Sequence, residues 1–377
     1  SQNNTINLVN NQGVVAANST GTGSARLSLA ATAYGTGGTA VFAYGIQSGT
    51  SVNKKNLVSN TGSVASDSGG VGTARHDFGA AGFGSSGQGI FAFGYSNTAG
   101  SQQNVSNIVS NTGVIASNQS GVGTARSGLT AAAFGGDKCI FGFGSGGGPS
   151  NIVSNTGVVA SDVSRVGTDR IGSAGVNYGG TLALFQFGAN GTTYYNMKNL
   201  VNSSGVIASD VSGAGTARTN PTAVNYGSTG QAIFAYGQNA GGSYVNISNL
   251  VSNTGVLASD GSGVGTASQQ KAATTFGSSG QALIAFGVNS GGSQINTRNI
   301  VGNNGVVAGD VSGAGTARYD LAATNYGGDK GIFAFGTGSS ITNLSNLVNS
   351  SGVVASDTTG VGTSRYSLAA AGFSYSA

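Results

Sequence analysis

The sequence predicts an all-β protein, and three of its properties lead to that prediction. Charged residues make up only 7% of the chain and Glu is absent, so the surface residues that favour helices are scarce. The 69 glycines, together with abundant Asn, Ser and Thr, suit tight turns between short strands. Apolar segments recur at fixed positions and hydrophobic residues reach 38%, which argues against disorder.

An internal repeat of about 50 residues fills the chain. Each copy opens with Asn, then Leu or Ile, then Val, and the copies begin at Asn7, Asn56, Asn107, Asn151, Asn199, Asn249, Asn299 and Asn346. A repeat of this length is one supersecondary unit, which stacks on its neighbours because it cannot bury its apolar faces alone. We therefore expect a single repeat domain over residues 1–377.

Four short segments of each repeat have the character of strands. In the seventh copy they are residues 299–301, 305–308, 321–326 and 332–335, and each is bounded by Gly, Asn or Ser. In the last of these segments aromatic residues alternate with small or aliphatic ones, so both faces of the strand are apolar. Four-stranded units that pack on both faces predict the blades of a β-propeller, with a β-solenoid as the alternative.

The stretch around the third and fourth segments resembles a kelch repeat. Arg318 precedes the first strand of that repeat, residues 327–330 (Gly-Gly-Asp-Lys) form a hairpin signal, and the apolar second strand ends at Gly336. The chain departs from the kelch pattern, since it keeps one Gly where kelch has a pair, and it has no Trp. Its low-charge, Gly-rich repeats also resemble those of virion proteins of tailed phages, especially cyanophages. The kelch resemblance implies a propeller of four-stranded blades.

The number of strands predicts eight blades. Seven complete blades run from residue 27 to residue 355, which leaves two strands at the N-terminus (6–9 and 13–17) and one at the C-terminus (366–373). Joining the two ends closes an eighth blade, whereas a ring of seven blades, the alternative, leaves three strands over. The eighth blade lacks one strand, and a strand of another chain could fill that gap by β-augmentation.

One repeat position holds Arg in seven of the eight copies, with Ser268 in the remaining one. The arginines are Arg26, Arg75, Arg126, Arg170, Arg218, Arg318 and Arg365. Eight residues before five of them stand Asp67, Asp162, Asp210, Asp310 and Asp357, while Asp260 precedes Ser268 and so lacks this partner. Because the pattern recurs in nearly every repeat, we expect Asp–Arg pairs or Arg–carbonyl contacts that tie blade to blade. A ring of anion or sugar sites is the alternative.

The residues that usually carry catalysis or bind metals are rare. The chain has one His and one Cys, and each loop offers a single carboxylate, which is too few for calcium. His76 lies beside Asp77, but no matching nucleophile recurs, and we expect Cys139 to be a small buried residue. The copper oxidases that share a kelch-like propeller need His and a Cys-linked Tyr, which this sequence does not match. We therefore predict no catalytic, metal or cofactor site and a chain that is not an enzyme.

The remaining features favour a structural or adhesive function. The net charge of +4 is spread over sparse residues, unlike the dense patch of a nucleic-acid-binding protein, and no apolar run is long enough for membrane insertion. The start at Ser1 indicates processing or a fragment. We expect an extracellular or virion-surface module, such as part of a phage tail or fibre. It would contact other copies of itself or other structural proteins of a particle. The alternative is a carbohydrate-binding propeller that contacts surface glycans through Tyr194, Tyr195 and Tyr244.

Overall fold

The fold is all-β, as predicted. The computed structural model describes residues 26–358 and residue 366, except residues 27, 37–38, 60–64, 70, 120, 122, 146–148, 164–166, 214, 262, 314 and 327–328. These residues form strands, turns and bends but no helix, and accordingly none of them belongs to a helix that could span a membrane. The predicted terminal strands 6–9 and 13–17, Arg365 and nearly all of segment 366–373 lie outside the described residues.

The strands are short and follow one another at regular intervals. In chain order they are β1 (Ala30–Tyr34), β2 (Thr39–Ala43), β3 (Ile46–Gln47), β4 (Thr50–Ser51), β5 (Lys55–Val58), β6 (Gly79–Phe83), β7 (Gln88–Ala92), β8 (Tyr95–Ser96), β9 (Ser101–Gln102), β10 (Ser106–Val109), β11 (Thr130–Phe134), β12 (Lys138–Gly142), β13 (Ser150–Val153), β14 (Ala174–Tyr178), β15 (Leu182–Gln186) and β16 (Ala189–Asn190). They continue with β17 (Thr193–Tyr194), β18 (Lys198–Val201), β19 (Arg218–Thr219), β20 (Thr222–Tyr226), β21 (Gln231–Ala235), β22 (Gln238–Asn239), β23 (Ser248–Val251), β24 (Ser268–Gln269), β25 (Ala272–Phe276), β26 (Gln281–Ala285), β27 (Val288–Asn289), β28 (Arg298–Val301), β29 (Ala322–Tyr326), β30 (Lys330–Ala334) and β31 (Ser345–Val348).

Seven three-stranded antiparallel sheets account for the longer strands of the described residues. We name them units 1 to 7: β1-β2-β5, β6-β7-β10, β11-β12-β13, β14-β15-β18, β20-β21-β23, β25-β26-β28 and β29-β30-β31. In every unit the second strand lies between the first and the third. The two-residue strands form small antiparallel pairs such as β3–β4 and β16–β17. Each unit is therefore a meander that repeats once per sequence repeat.

The predicted segment 305–308, which follows the third strand of unit 6, pairs with that strand over a very short length. In unit 6, Val307 forms a single bridge with Val301, and the Ala308 amide donates to the Ile300 carbonyl at 2.8 Å. The prediction of a full fourth strand is therefore met by this one bridge only. Beyond Ala308 the Asp310 side chain accepts a hydrogen bond from the Asn299 side chain at 3.0 Å, and Val311 forms a second single bridge, with Arg298.

Successive units pack against each other through the first strands and through both faces of the second strand. The first strands β1, β6, β11, β14, β20, β25 and β29 contact one another in that order. In β21 the residues from Ala232 to Ala235 are all buried. Ile233 packs towards unit 6, against Ala282 and Ile284, while Phe234 packs towards unit 4, against Leu184. The prediction that both faces of this strand are apolar and covered is therefore confirmed.

Backbone hydrogen bonds also connect the turn between the first and second strands of each unit to the same turn of the next. The donors and acceptors among the described residues are Gly35 N to Gly87 O, Gly84 N to Asp137 O, Gly135 N to Thr181 O, Gly179 N to Gly230 O, Gly227 N to Gly280 O and Gly277 N to Asp329 O, at 2.5–2.8 Å. We name this series the turn row. Glycine permits it, because a Cβ on Gly280 would lie 2.6 Å from the Gly227 carbonyl oxygen.

Gly280→Ala should lower the melting temperature more than Gly242→Ala does. Both glycines have a left-handed φ, of 73° and 77°, so each substitution costs about 1 kcal/mol in backbone strain. The Cβ at position 242 meets nothing within 4 Å, whereas at 280 it separates two units, which we expect to add at least about 1 kcal/mol. Thermal unfolding of the two variants measures this difference, and equal melting temperatures would argue against a tight turn row.

Candidate functional site

The repeated arginine is buried between adjacent units. Arg75, Arg126, Arg170, Arg218 and Arg318 are at most 1% exposed. Each precedes the first strand of its own unit and covers an aromatic ring that follows the second strand of the preceding unit. The guanidinium-to-centroid distances are 4.2 Å for Arg75–Tyr44, 3.8 Å for Arg126–Phe93, 3.7 Å for Arg170–Phe143, 3.7 Å for Arg218–Phe187 and 4.1 Å for Arg318–Phe286. A desolvated cation–π contact contributes about 2 kcal/mol.

The same arginine also joins distant segments of its own unit, as Arg126 illustrates. Its Nη1 donates to the Thr124 carbonyl at 3.2 Å, and its Nη2 donates to Asn151 Oδ1. Asn151 lies on the third strand, and its amide nitrogen donates to Asp162 Oδ1 at 3.0 Å. We name this group, which consists of the Arg, the Asn of the third strand, the Asp that follows and the aromatic ring of the preceding unit, the arginine clasp. The Asn that opens the repeat therefore orients the Arg in units 1, 3, 4, 5 and 7.

The structure corrects the predicted pairing of Arg with Asp. Five of the arginines lie near the Asp that follows them by thirty-six to forty-two residues, rather than the Asp eight residues before them. The pairs are Arg26–Asp67 at 3.8 Å, Arg126–Asp162 at 3.8 Å, Arg170–Asp210 at 3.5 Å, Arg218–Asp260 at 3.9 Å and Arg318–Asp357 at 3.6 Å. Asp260, predicted to lack a partner, thus pairs with Arg218. The reason is topological, because the end of each unit returns beside the residues that precede its first strand.

The clasp leaves little of either charged group open to a ligand. Asp162 Oδ2 accepts hydrogen bonds from the backbone amide and the hydroxyl of Thr124, at 2.8 and 2.7 Å. Burial by itself raises the pKa of Asp162, but hydrogen bonds from Thr124 and Asn151 outweigh it and lower the pKa below its ordinary value. Burial lowers the pKa of Arg126 to about 10, with Asp162 opposing that shift. This geometry supports a structural role for the repeated charges.

Unit 2 shows that the clasp can form without its carboxylate. Asn118 stands in the Asp position, and its Oδ1 accepts from the Thr73 amide at 3.1 Å, as Asp162 does from Thr124. Arg75 then donates to the Thr73 carbonyl at 3.0 Å and to the Phe91 carbonyl at 3.1 Å. Hydrogen-bond acceptors and the aromatic ring thus suffice to hold the guanidinium.

Unit 6 replaces the arginine with three residues. The Ser268 hydroxyl donates to the Thr266 carbonyl at 2.9 Å, and the Tyr236 hydroxyl donates to Asn299 Oδ1 at 2.5 Å. Lys271 Nζ lies 4.4 Å from the centroid of the Tyr236 ring and has no hydrogen-bond partner. Burial lowers the pKa of Lys271 to about 8, against an opposing effect of Asp310. Unit 6 therefore carries a buried amine that is poorly satisfied when charged.

His76 contacts a serine that sequence inspection did not single out. Its Nδ1 lies 3.1 Å from Ser51 Oγ, and its Nε2 lies 3.7 Å from Asp77 Oδ2. Ser51 belongs to unit 1 and His76 precedes unit 2, so the contact appears only in the folded chain. Ser51 is 4% exposed, and its Oγ also accepts from the Asn97 amide at 2.9 Å. With its hydroxyl buried in this way, Ser51 connects two units rather than facing a substrate.

Cys139 is a free, fully buried thiol, as predicted. Burial raises its pKa to about 12, so the nucleophilic thiolate is strongly disfavoured at neutral pH. Within the described part of the chain, no three His, Cys, Asp or Glu side chains lie close enough to hold a metal ion.

The predicted sugar-contacting tyrosines are all partly exposed. Tyr194 ends β17 in unit 4, and Tyr244 forms a bridge with Gln238 in unit 5. The two residues thus follow the second strands of neighbouring units. The backbone carbonyl of Tyr195 accepts from the Arg218 amide at 3.3 Å, so Tyr195 is anchored to the adjacent clasp.

A cavity of about 510 Å³ lies between the turns of units 1 and 2. Its lining is Tyr34, Gly35, Thr36, Thr39, Ser59, Ser86, Asn111 and Thr112. These residues offer hydroxyl, amide and backbone groups without a charged side chain. Such a lining suits a neutral polar ligand.

Comparison with known proteins gives a likeness of fold. No protein-family model matches the sequence, and no curated protein matches it. Among solved structures the chain is similar to a fungal alcohol oxidase of the AA5 family in complex with copper. That similarity has a TM-score of 0.56, with 12% sequence identity, and covers 84% of this chain and 72% of the oxidase.

This likeness contradicts the sequence-based prediction that the chain is not an enzyme, because a protein that shares the fold is one. The residues of the present chain nevertheless do not fit copper. The sequence contains a single His, His76, which is engaged with Ser51. The single Cys is buried with a raised pKa, and the described residues contain no cluster of metal-binding side chains.

Arg218→Lys should destabilise the protein by about 2–4 kcal/mol. A lysine ammonium cannot donate to both Thr216 and Asn249 as the planar guanidinium does, and it leaves acceptors unsatisfied in a buried place. Denaturant unfolding measures the loss. Arg298→Lys, at an Arg that lies outside the clasp position, is the matched control and should change stability by less than about 1 kcal/mol. Equal effects of the two substitutions would contradict the importance of the clasp.

Stability should rise between pH 8 and pH 9.5 because of Lys271. Its folded-state pKa of about 8 lies below the ordinary value of 10.5, so in this window the unfolded chain holds a proton that the folded chain has released. The free energy of unfolding therefore increases with pH, by up to about 3 kcal/mol over the whole range between the folded and unfolded pKa values. Melting temperatures across this range should increase for the wild type and for Lys198→Met. For Lys271→Met the increase should be clearly smaller, and an unchanged increase would contradict this assignment.

Proposed function

We propose that the chain is an eight-bladed β-propeller with kelch-like blades, in which units 1 to 7 are blades and the two termini complete an eighth. Three observations support this architecture. The first strands contact one another in chain order, the turn row connects each unit to the next, and units 2, 3, 4, 5 and 7 each bury an arginine against the preceding unit. The likeness of fold to the alcohol oxidase adds support. A ring of seven blades remains the alternative.

We further propose that this propeller is a rigid structural or attachment module of an extracellular or virion surface. The observation that carries the proposal is the burial of the repeated arginines, which are at most 1% exposed in units 2, 3, 4, 5 and 7. The repeated arginines therefore make contacts between units. The exposed surface of the units consists largely of uncharged turns of Gly, Ser, Asn and Thr. Such a surface suits docking to other copies or to other structural proteins of a particle or fibre.

Electron microscopy of the full chain tests both proposals. We expect class averages with eight blades, and rings that associate with one another or with a larger particle. Averages with seven blades would correct the architecture but leave the assembly proposal standing. Isolated rings at high protein concentration would contradict the assembly proposal.

Carbohydrate binding is a second candidate function. It is favoured by the partly exposed Tyr194 and Tyr244 at matching places of neighbouring units and by the uncharged cavity between units 1 and 2. Aromatic faces and neutral hydrogen-bonding groups are suited to sugars. A glycan array probed with the wild type should then yield ligands whose affinity falls at least tenfold in Tyr194→Ala or Tyr244→Ala, but not in Tyr319→Ala. An array without any ligand would exclude this candidate.

Alcohol oxidation is a third candidate, favoured by the fold likeness alone. Purified chain can be incubated with primary alcohols, with and without added Cu²⁺, and assayed for carbonyl product. Product above the level given by free Cu²⁺ that is lost in His76→Ala would support an oxidase. Product no greater than that of free Cu²⁺ would count against it.

A further inference from the structure

Each of units 2 to 7 exposes one valine at the turn that follows its third strand. These valines and their exposed fractions are Val114 (60%), Val158 (63%), Val206 (60%), Val256 (64%), Val306 (64%) and Val353 (54%). The following residue points inward, and in unit 3 it is the buried Val159. One apolar side chain per unit is thus presented to solvent at the same place, although neighbouring turn residues vary between Ser, Asn, Thr and Gly.

The turn holds this valine in a fixed position. In unit 3 the Val158 amide donates to Ser154 Oγ at 3.1 Å, and the Gly157 amide donates to the Ser154 carbonyl at 3.0 Å. In unit 4 the side chain of Asn202 replaces serine and accepts from the Val206 amide at 2.9 Å. A turn whose backbone is already fixed loses little conformational entropy when a partner covers it.

The valine turns lie on the same side of the protein as the turn row. In unit 3 the Asn155 side chain donates to Asp137 Oδ2, in the turn row, at 3.0 Å. A Cβ built on Gly84, in the row of unit 2, would lie 3.1 Å from the Asn155 carbonyl, and one on Gly179 would lie 2.5 Å from the Asn253 carbonyl. The two sets of turns therefore form one surface, which we name the valine face.

The valine face carries little net charge. Its charged turn residues in the described part of the chain pair with each other, Lys138 with Asp137 at 3.0 Å and Lys330 with Asp329 at 3.2 Å. Two lysines of neighbouring strands reach this face, Lys55 to the Gly113 carbonyl and Lys198 to the Gly255 carbonyl, at 3.4 Å each. Two such faces can thus approach each other with little electrostatic repulsion.

We infer that the valine face is the surface on which a second copy of this chain docks, face to face. The valines recur once in each of units 2 to 7, so a partner must have the same period to cover them all, and a second copy has it. A two-fold interface places the same surface on both sides, which suits a face that is apolar at regular points and nearly neutral between them. This inference rests on the proposed assembly function and names the surface that serves it.

Analytical ultracentrifugation of the full chain tests the inference. The wild type should form dimers at micromolar concentration. The variant with Val158→Ser, Val206→Ser, Val256→Ser and Val306→Ser should raise the dissociation constant at least tenfold. Serine is suitable because the second repeat already has Ser63 at this position. The control carries Ile171→Ser, Val211→Ser and Val311→Ser, which are also exposed but lie away from this turn, and it should dimerise as the wild type does.

Each result leads to a distinct conclusion. Unchanged melting temperatures establish that both variants fold. A dimer that survives the four serines, whether or not the control dimerises, would overturn the valine face and leave assembly itself intact. A wild type that stays monomeric at 100-fold higher concentration would overturn both the inference and the proposed assembly function.

Discussion

The structure depends on a buried guanidinium group. This group lies between two neighbouring units wherever both units are described and the repeat position of the second one holds Arg. A buried cation is costly unless its donors are satisfied, and five donors in a planar fork require acceptors from several segments at once. In unit 3 Thr124 and Asn151 supply acceptors for Nη1 and Nη2 of Arg126, the ring of Phe93 covers the guanidinium from unit 2, and Nε is left without a hydrogen-bond partner. The arginine therefore defines both the closure of its own unit and the distance to the preceding one.

Glycine is required where the turns of adjacent units meet. The turn row requires backbones of adjacent units to approach within hydrogen-bonding distance, which a Cβ at Gly280 or Gly87 would prevent. The aromatic residues of the clasp adopt a left-handed backbone conformation, as Phe93 does with φ 65°. Each is followed by a glycine, and the amide of that glycine donates to the backbone carbonyl of the Arg of the next unit. Packing between units thus compensates for unfavourable local conformations.

Unit 6 shows how far this arrangement tolerates change. Ser268 and Tyr236 together take over the two hydrogen bonds of the missing arginine, and Lys271 supplies the cation over the ring. Both acceptors receive a hydrogen bond, but the ammonium group of Lys271 has no hydrogen-bond partner. An array of repeated units can accept such a difference in one interface because the remaining interfaces are held independently.

Sequence alone determined the all-β class, the repeat boundaries and the apolar character of both faces of the second strand. These follow from composition and from local periodicity, which do not require knowledge of contacts. The tertiary structure decided which residues meet. Asp162 pairs with Arg126 rather than with Arg170, which follows it by eight residues, because the unit folds back on its own beginning. Ser51 meets His76 because adjacent units pack side by side, and for the same reason the turns carrying Val158 and Val206 lie against the turn row of the preceding unit. Sequence distance does not measure spatial distance in a meander, where each unit brings residues about forty positions apart into contact.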